Sequence, residues 1–373
     1  MIPSKPKYKV IIFLTEDIRH TSYVVKGLLD LEKTGFISLD FRSMPMLFNN
    51  RIKIQNSRFI RTIKGYPWCP ELVITSIKKK TKKRVGIDLQ DWDNYFSHHS
   101  FQNCSIVFKR ALTEKNKLFL EKEKPNFVKP FGPNFYLTVT DKRYLKNIKI
   151  SKIKQTIAKV ISNPSKIPNK IKEKFIETSK NIRGNGSRIV SENAFRYPPN
   201  RKYIFFQVQY YDWKNKHSKS INDYRASIIR TLKNSFKEQF YGGMWFVHDV
   251  HQDYKDCVTN VDTNKKTYDS FIEKASVVIS TNGFGESIPW KLIEFLKSGS
   301  CIVTERNKHL FREPLTNNEV TFYNNKDEII NSCRELLKDK KLNKLKRKNA
   351  FKYYEKYLNP QASMKEVIES SFS

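Results

Sequence analysis

The chain has 373 residues, 39% of them hydrophobic and 13% aromatic, which is enough apolar material for two ordinary domains and too much for a disordered chain. Seventy lysines and arginines against 37 acids leave a net charge of +33, which favours anionic partners and opposes compaction by self-repulsion. Only 12 glycines, with no Gly-X-Y, heptad or blade-like period, exclude fibrous and repeat folds, and the longest apolar runs fall far short of the roughly 20 residues that span a bilayer.

Lys9–Leu14 is a continuous apolar run, the pattern of a strand buried on both faces. Ser22–Leu31 follows with Tyr23, Val24, Gly27, Leu28 and Leu31 at helical spacing. Phe36–Phe41, Leu72–Ile77, Val85–Leu89 and Ser105–Phe108 read as further short strands, so residues 1–140 are expected to form an open, mostly parallel α/β unit closed by the turn cluster Pro130–Pro133. Lys78–Arg84, with six basic residues in seven, reads as a solvated loop between two strands.

Residues 142–183 carry 13 basic and 2 acidic side chains. Leu145, Ile148, Ile153, Ile157, Val160 and Ile161 approximate one apolar helix face, and Ile167, Ile171 and Phe175 continue it after Pro164 and Pro168. Two readings stay open for this basic linker, 141–200: an interfacial helix on an anionic membrane, or a helix that packs its stripe on the protein itself. Arg183–Ser187 reads as a flexible loop.

From residue 201 the alternation restarts. Tyr203–Gln209, Met244–Val247, Ser276–Ser280, Cys301–Thr304 and Glu319–Tyr323 read as strands, with helices over Ile221–Phe240, Tyr268–Lys274, Ile288–Ser298, Asp327–Leu337 and Leu342–Tyr357. This is a second α/β unit, 201–350, followed by a C-terminal helical segment, 351–373. Two doubly wound halves of similar size place a ligand at the C-terminal ends of their strands.

The chemistry concentrates in Ala275–Glu305, which reads strand, glycine-containing loop, helix, Ser298-Gly299 cap, strand. A helix N-terminus after such a loop suits pyrophosphate, because unpaired N–H groups and the helix dipole point at it. Glu286 falls in the loop and Glu294 in the helix, while Lys291 lies three residues before Glu294 and suits phosphate charge.

Glu286-SIPWKLI-Glu294-FLKS-Gly299 resembles the donor-binding motif of GT-B glycosyltransferases, whose retaining members carry Glu-x7-Glu, a small-residue-Gly turn and an apolar strand. The resemblance implies two Rossmann-like domains facing a cleft, the second binding a nucleotide-sugar and the last helix crossing back to the first. It implies that Glu286 contacts the transferred sugar and Glu294 the ribose, with Asn282, Gly283, Gly285, Ser287, Ile288 and Lys291 completing the donor site. The family usually has Glu-Gly-Phe-Gly, whereas here Gly283-Phe-Gly285 precedes Glu286. Ser287 and Lys291 are also similar to exostosin-like and fucosyltransferase-like relatives, in which a basic residue on this helix grips the diphosphate. Those relatives invert the anomeric centre, so retention and inversion both stay open.

An inverting transferase needs a base for the acceptor hydroxyl, and Asp88, Asp91, Asp93, His98 and His99 follow a strand where a cleft residue sits. Asp88 and Asp91 are taken as the catalytic candidates in this half. Arg110 and His20 follow other strands and are expected to contact the acceptor. His248-Asp-Val-His251 supplies too few ligands for zinc, so no metal and no cofactor beyond the nucleotide-sugar donor is expected.

The expected partners are a nucleotide-sugar and a glycan or lipid-linked acceptor of cell-surface polysaccharide or lipopolysaccharide synthesis, with an anionic membrane surface beside them. A non-catalytic nucleic-acid-binding protein or membrane scaffold stays as the alternative use of the charge. The chain shows no helix-turn-helix, zinc-finger or RRM signature, so nucleic acid is not expected. The five cysteines have no CxxC spacing, and Met1–Lys9 has no apolar core of a secretory signal. Reduced thiols and a cytoplasmic location, or one peripheral on the cytoplasmic membrane face, are therefore expected.

Overall fold

The computed structural model describes residues 5–15, 17–45, 49–65, 69–162, 203–211, 216–246, 249–259, 261–283 and 286–373. The chain sorts into two compact units, the first within Met1–Arg188, His309–Arg312 and Tyr357–Ser373, the second within Ile189–Lys308 and Glu313–Lys356. Both are α/β, as the alternating apolar runs predict.

The first unit runs β1 (Tyr8–Leu14), α1 (Ile18–Lys33), β2 (Ile37–Ser43), β3 (Asn49–Gln55), β4 (Arg58–Gly65), β5 (Glu71–Ser76), β6 (Thr81–Asp88), β7 (Tyr95–Ser97), α2 (His98–Asn103), β8 (Ile106–Lys109), α3 (Glu114–Glu123), β9 (Val128–Pro130) and α4 (Lys142–Ser162). Its main sheet has the order β2-β1-β5-β6-β8-β9, and every strand but β5 points the same way. The expected mostly parallel sheet therefore holds with one reversed strand near its centre. A connection as short as Ile77–Lys80 can only join antiparallel neighbours, so β5 and β6 form a hairpin with Ser76 opposite Thr81. This corrects the reading of Lys78–Arg84 as a loop: its second half is the start of β6. Reversal also brings Glu71, the first residue of β5, to the edge where β1, β6 and β8 end. A separate antiparallel sheet, β4-β3-β7, had no counterpart among the predicted strands.

Helix α4 contacts β2 and β1 within this unit. Tyr144, Ile148 and Ser151 are buried, whereas Ile150, Ile153 and Ile157 are exposed. The single apolar face expected over 142–183 is thus corrected for the described part: α4 is apolar on two opposite sides. Val160 and Ile161, and the basic segment from residue 163 on, lie outside the described side chains and residues.

The second unit runs β10 (Ile204–Gln209), α5 (Lys216–Phe236), β11 (Phe240–Trp245), α6 (Lys265–Lys274), β12 (Val277–Ser280), α7 (Trp290–Lys297), β13 (Ile302–Glu305), β14 (Thr321–Tyr323), α8 (Lys326–Lys338) and α9 (Lys340–Tyr353). Its sheet, β11-β10-β12-β13-β14, is parallel throughout. Both sheet faces are covered, which is why all four residues of β12 are buried and the strand reads as a continuous apolar run. Phe206, Ile229, Leu232, Val277, Val303 and Cys333 form the centre of this core, and each large apolar side chain so placed contributes about 1.5–3 kcal/mol. Counted within the unit, the strand order is 2-1-3-4-5, and it reverses between β10 and β12. The crevice outside the carboxyl ends of those two strands is where a ligand fits such a sheet.

The chain ends in α10 (Pro360–Ser370), which belongs to the first unit and packs on α1. The approach is close enough that a Cβ at Gly27 would meet the Pro360 carbonyl oxygen at 2.1 Å, so only glycine fits there. Among the described residues no helix is long and apolar enough to cross a membrane. All five cysteines are buried and free.

Candidate functional site

Strand β12 ends at Ser280, and the chain passes through residues 281–289 into α7. The helix begins at Trp290, two residues later than the apolar spacing predicts, because Pro289 takes the cap position. Ser287 and Ile288 therefore precede the helix and are buried in its approach. A proline cap offers no side-chain acceptor, and the Leu292 N–H turns back to the Pro289 carbonyl at 3.1 Å.

The loop is held by polar contacts from its neighbours. Asn282 donates its N–H to Glu305 Oε2 (2.5 Å), and Asn307 Nδ2 donates to Asn282 Oδ1 (2.8 Å) and to the Glu286 carbonyl (3.0 Å). Gly283 N–H donates to the Ser287 carbonyl at 2.8 Å, closing the loop tightly. A Cβ on Gly283 would sit 2.8 Å from Ser287 Oγ and 3.1 Å from its carbonyl oxygen. Glu286 takes up φ +59°, a left-handed conformation that costs a non-glycine residue roughly 1–2 kcal/mol. Gly285 lies outside the described residues.

Lys291 sits in the first turn of α7, and its Nζ donates to the Gln207 carbonyl of β10. Its ammonium also lies 5.5 Å from the centre of the Tyr268 ring. Burial, with Arg225 adding repulsion, pushes the Lys291 ammonium down to about 7, against a weaker opposing pull from Glu294. Glu294, one turn further along the helix, binds Lys265 Nζ at 3.2 Å, and Asp269 takes the same ammonium at 2.6 Å. Burial alone would lower Lys265, but Glu294 and Asp269 hold it above its ordinary value. Glu286 carries a more exposed carboxylate, 62% accessible, paired with Lys308 at 2.5 Å. The two glutamates of the motif are thus each matched to a lysine in the same unit.

Two residues of the site were not singled out from the sequence. Arg225 of α5 is buried and donates to the carbonyls of Gln209 (2.7 Å) and Asn282 (3.3 Å), while its guanidinium packs 4.9 Å from the Tyr211 ring. Asn222, one turn earlier, receives the Tyr211 N–H (3.1 Å) and donates to its carbonyl (2.7 Å). Together they fasten the segment after β10 to the loop after β12, on both sides of the crevice. Burial lowers the Arg225 guanidinium from its ordinary value. The signal for them lay in the helix pattern: Asn222 and Arg225 occupy the stripe with Ala226 and Ile229, where an amphipathic helix otherwise carries apolar residues.

In the first unit the predicted residues gather at the carboxyl edge of the sheet, but already partnered. Asp88 is fully buried, paired with Lys109 Nζ (3.2 Å) and receiving the Gln90 N–H (3.1 Å). The catalytic candidate of the sequence is thus covered by its neighbours in the sheet. Asp91 is partly exposed and pairs with Arg110, whose own burial pushes it down to about 10. Arg110 was expected to hold an acceptor anion, and Asp91 occupies that role here. Asp93 accepts from Thr113 Oγ1 at 3.3 Å. His99 bonds the buried Glu71 at 2.7 Å, with Arg84 at 2.8 Å on the same carboxylate. Burial would raise Glu71, and His99, Ser100 and Arg84 together hold it below the ordinary carboxylate range. His98 lines a cavity of about 570 Å³ with Ile52, Phe59, Phe101, Gln102 and Lys124.

His20 differs from these. Asp17 caps α1, accepting from the N–H groups of Arg19 and His20 on one oxygen, and its other oxygen bonds His20 Nδ1 at 2.6 Å. This contact fixes the orientation of the His20 ring through Nδ1. Among the described residues no group of three or more His, Cys, Asp or Glu is placed to hold a metal ion. His248 lies outside them.

The fold is α/β, built of two Rossmann-like units, and the second brings Lys291 and Arg225 to its switch point. No family model and no curated protein sequence matches the chain. Among solved structures it is similar to the C-terminal domain of a glycosyl transferase group 1 family protein (LpcC) from Francisella tularensis, at 14% identity and TM-score 0.31, over 43% of this chain and 88% of that one. It is similar to Anabaena Alr3699/HepE in complex with UDP-glucose, at 11% identity and TM-score 0.41, over 73% of this chain and 65% of that one. A likeness to TarM covers 100% of this chain and 99% of that one, at 11% identity and TM-score 0.41. At these scores the fold is defined by the chain's own strand order and registers.

Proposed function

We propose that the chain is a GT-B glycosyltransferase that moves a sugar from a nucleotide-sugar to a glycan or lipid-linked acceptor, in the synthesis of cell-surface polysaccharide or lipopolysaccharide at the cytoplasmic membrane face. The observation that carries the reading is the pair of cations held at the carboxyl ends of β10 and β12. Two cations, the half-buried Lys291 and the buried Arg225, repel each other there beside a helix N-terminus that no side chain caps. A diphosphate relieves both conditions at once.

In this reading the bond between the anomeric carbon and the diphosphate oxygen breaks, and the oxygen keeps the electron pair. Lys291 and the first-turn N–H groups of α7 stabilise that charge. The acceptor oxygen bonds the anomeric carbon, and its proton passes to a base. In the first unit His20 Nε2, oriented by Asp17, suits that step better than Asp88. Glu294 and Lys265 border the nucleoside, and Glu286 the transferred sugar.

The test is thermal-shift binding of UDP, GDP, CDP, CMP and dTDP at moderate salt. One nucleotide that stabilises the fold, with the effect lost in Lys291→Ala and Glu294→Ala, supports the reading. A flat panel with tight, salt-sensitive oligonucleotide binding overturns it and leaves the charge as the function.

A further inference from the structure

The outer face of α4 has no role in the chemistry above. The helix turns Tyr144, Ile148 and Ser151 inward: Tyr144 packs on the Phe41 ring at 6.3 Å, and Ser151 Oγ donates to the Leu14 carbonyl at 3.0 Å. At about 100° per residue, the side directly opposite carries Lys146, Ile150, Ile153 and Ile157, with Lys142 and Lys149 beside them. The three isoleucines are 36%, 53% and 47% exposed, and the three lysines are exposed as well. Residues 142–162 hold seven basic side chains and no acidic one.

We propose that this face docks on an anionic lipid bilayer, with the isoleucines entering the headgroup boundary and Lys142, Lys146 and Lys149 reaching lipid phosphates. Charge decides the occupant. A one-signed basic stripe around an apolar line matches a surface that is anionic everywhere and apolar just beneath, and long lysine stems let the ammonium stay at the headgroups while the isoleucines go deeper. Position adds to this. Ser151 reaches the end of β1, and Lys154 Nζ donates to Ser43 Oγ (2.9 Å) and the Met44 carbonyl (3.0 Å) at the end of β2. The helix therefore lies along the sheet edge that leads to Asp17 and His20. A bilayer there presents a lipid-linked acceptor to that edge; this last step, and not the docking, rests on the transferase reading.

The experiment is co-sedimentation of the full chain with phosphatidylcholine vesicles, with and without phosphatidylglycerol. The chain is expected to sediment only with the anionic vesicles and to be released by salt. Lys142→Gln/Lys146→Gln/Lys149→Gln should weaken partitioning about a hundredfold, and Ile150→Ser/Ile153→Ser/Ile157→Ser at least about tenfold. All six positions are exposed, so circular dichroism should stay unchanged. No partitioning of the parent chain, or partitioning of both variants at the parent's level, overturns the proposal. So does an isoleucine variant that turns a dimer into a monomer while vesicle binding persists, since a second copy then covers the stripe. A flat nucleotide panel leaves vesicle binding untouched, so the two readings fail separately.

Discussion

The Nζ of Lys291 donates to the carbonyl of Gln207, so the first turn of α7 is tied to the strand on the far side of the switch point. The bond spans the gap between β10 and β12 where the order of the sheet reverses. Arg225 crosses the same gap from beneath, joining Gln209 to Asn282. Two cations from two helices bond carbonyls on both sides of the switch point, and neither has a carboxylate of its own among these contacts.

In the proposed donor site, Lys291→Ala removes a charge-assisted contact to the diphosphate. Such bonds contribute about 1.5–3 kcal/mol, so nucleotide affinity should fall by roughly ten- to a hundredfold with the fold retained. Calorimetric titration of the nucleotide that shifts the melting temperature reads this directly, and an unchanged Kd would remove Lys291 from the site.

The pH dependence follows from the same residue. In the free protein Lys291 loses its proton at about 7, against 10.5 ordinarily. Between those values the unfolded chain binds more protons than the folded one, so this group makes the free protein more stable as pH rises through the window, and its cost is fully present below pH 7. A bound diphosphate restores the charged form, so binding takes up a proton above pH 7. Affinity should fall by up to about tenfold per pH unit there. Titration in two buffers of different ionisation enthalpy measures the uptake; identical heats at pH 8 would contradict it.

How far the sequence spoke depends on the physics of each element. Strands buried on both faces, such as Val277–Ser280, are apolar without interruption and were readable to within a residue or two. The reversed β5 was not, because a hairpin in the middle of a parallel sheet has the same apolar pattern as its neighbours. The β4-β3-β7 sheet escaped for another reason: Asn49–Gln55 and Arg58–Gly65 interleave arginines and lysines with isoleucines, which reads as polar chain. Glu286, Lys291 and Glu294 came from a motif, whose spacing is local. Arg225 and Asp17 could not, because their partners lie on other elements or in a cap whose second hydrogen bond no spacing encodes. The burial of Asp88 was not legible, since it goes with an ion pair to Lys109, 21 positions away.

Arg225→Lys keeps the charge but cannot reproduce two hydrogen bonds and a flat contact with Tyr211. Stability should drop by about 1–3 kcal/mol, the cost of leaving buried carbonyls unmet. Asn222→Ala should act through the same segment, so the double variant should be less destabilised than the sum of the two. Urea unfolding of the three variants checks this, and strict additivity would show that the two side chains do not share a task.

Glu286 sets stability against function in one position. Its left-handed backbone, φ +59°, is one that glycine adopts freely, and its ion pair with Lys308 is too exposed to contribute much. Glu286→Gly should therefore stabilise the second unit by about 1 kcal/mol, which for a unit of this size is roughly 2–4 °C in Tm. Glu286→Gln keeps the backbone strain and removes only the charge, so its Tm should match the parent. Both variants should bind the nucleotide as the parent does, because Lys291, Arg225 and Glu294 are untouched, while turnover falls in both. Strain that persists where glycine would cost less is expected of a residue retained for chemistry. A Glu286→Gly protein that is no more stable than Glu286→Gln, and just as active as the parent, would make the residue an ordinary member of a surface loop.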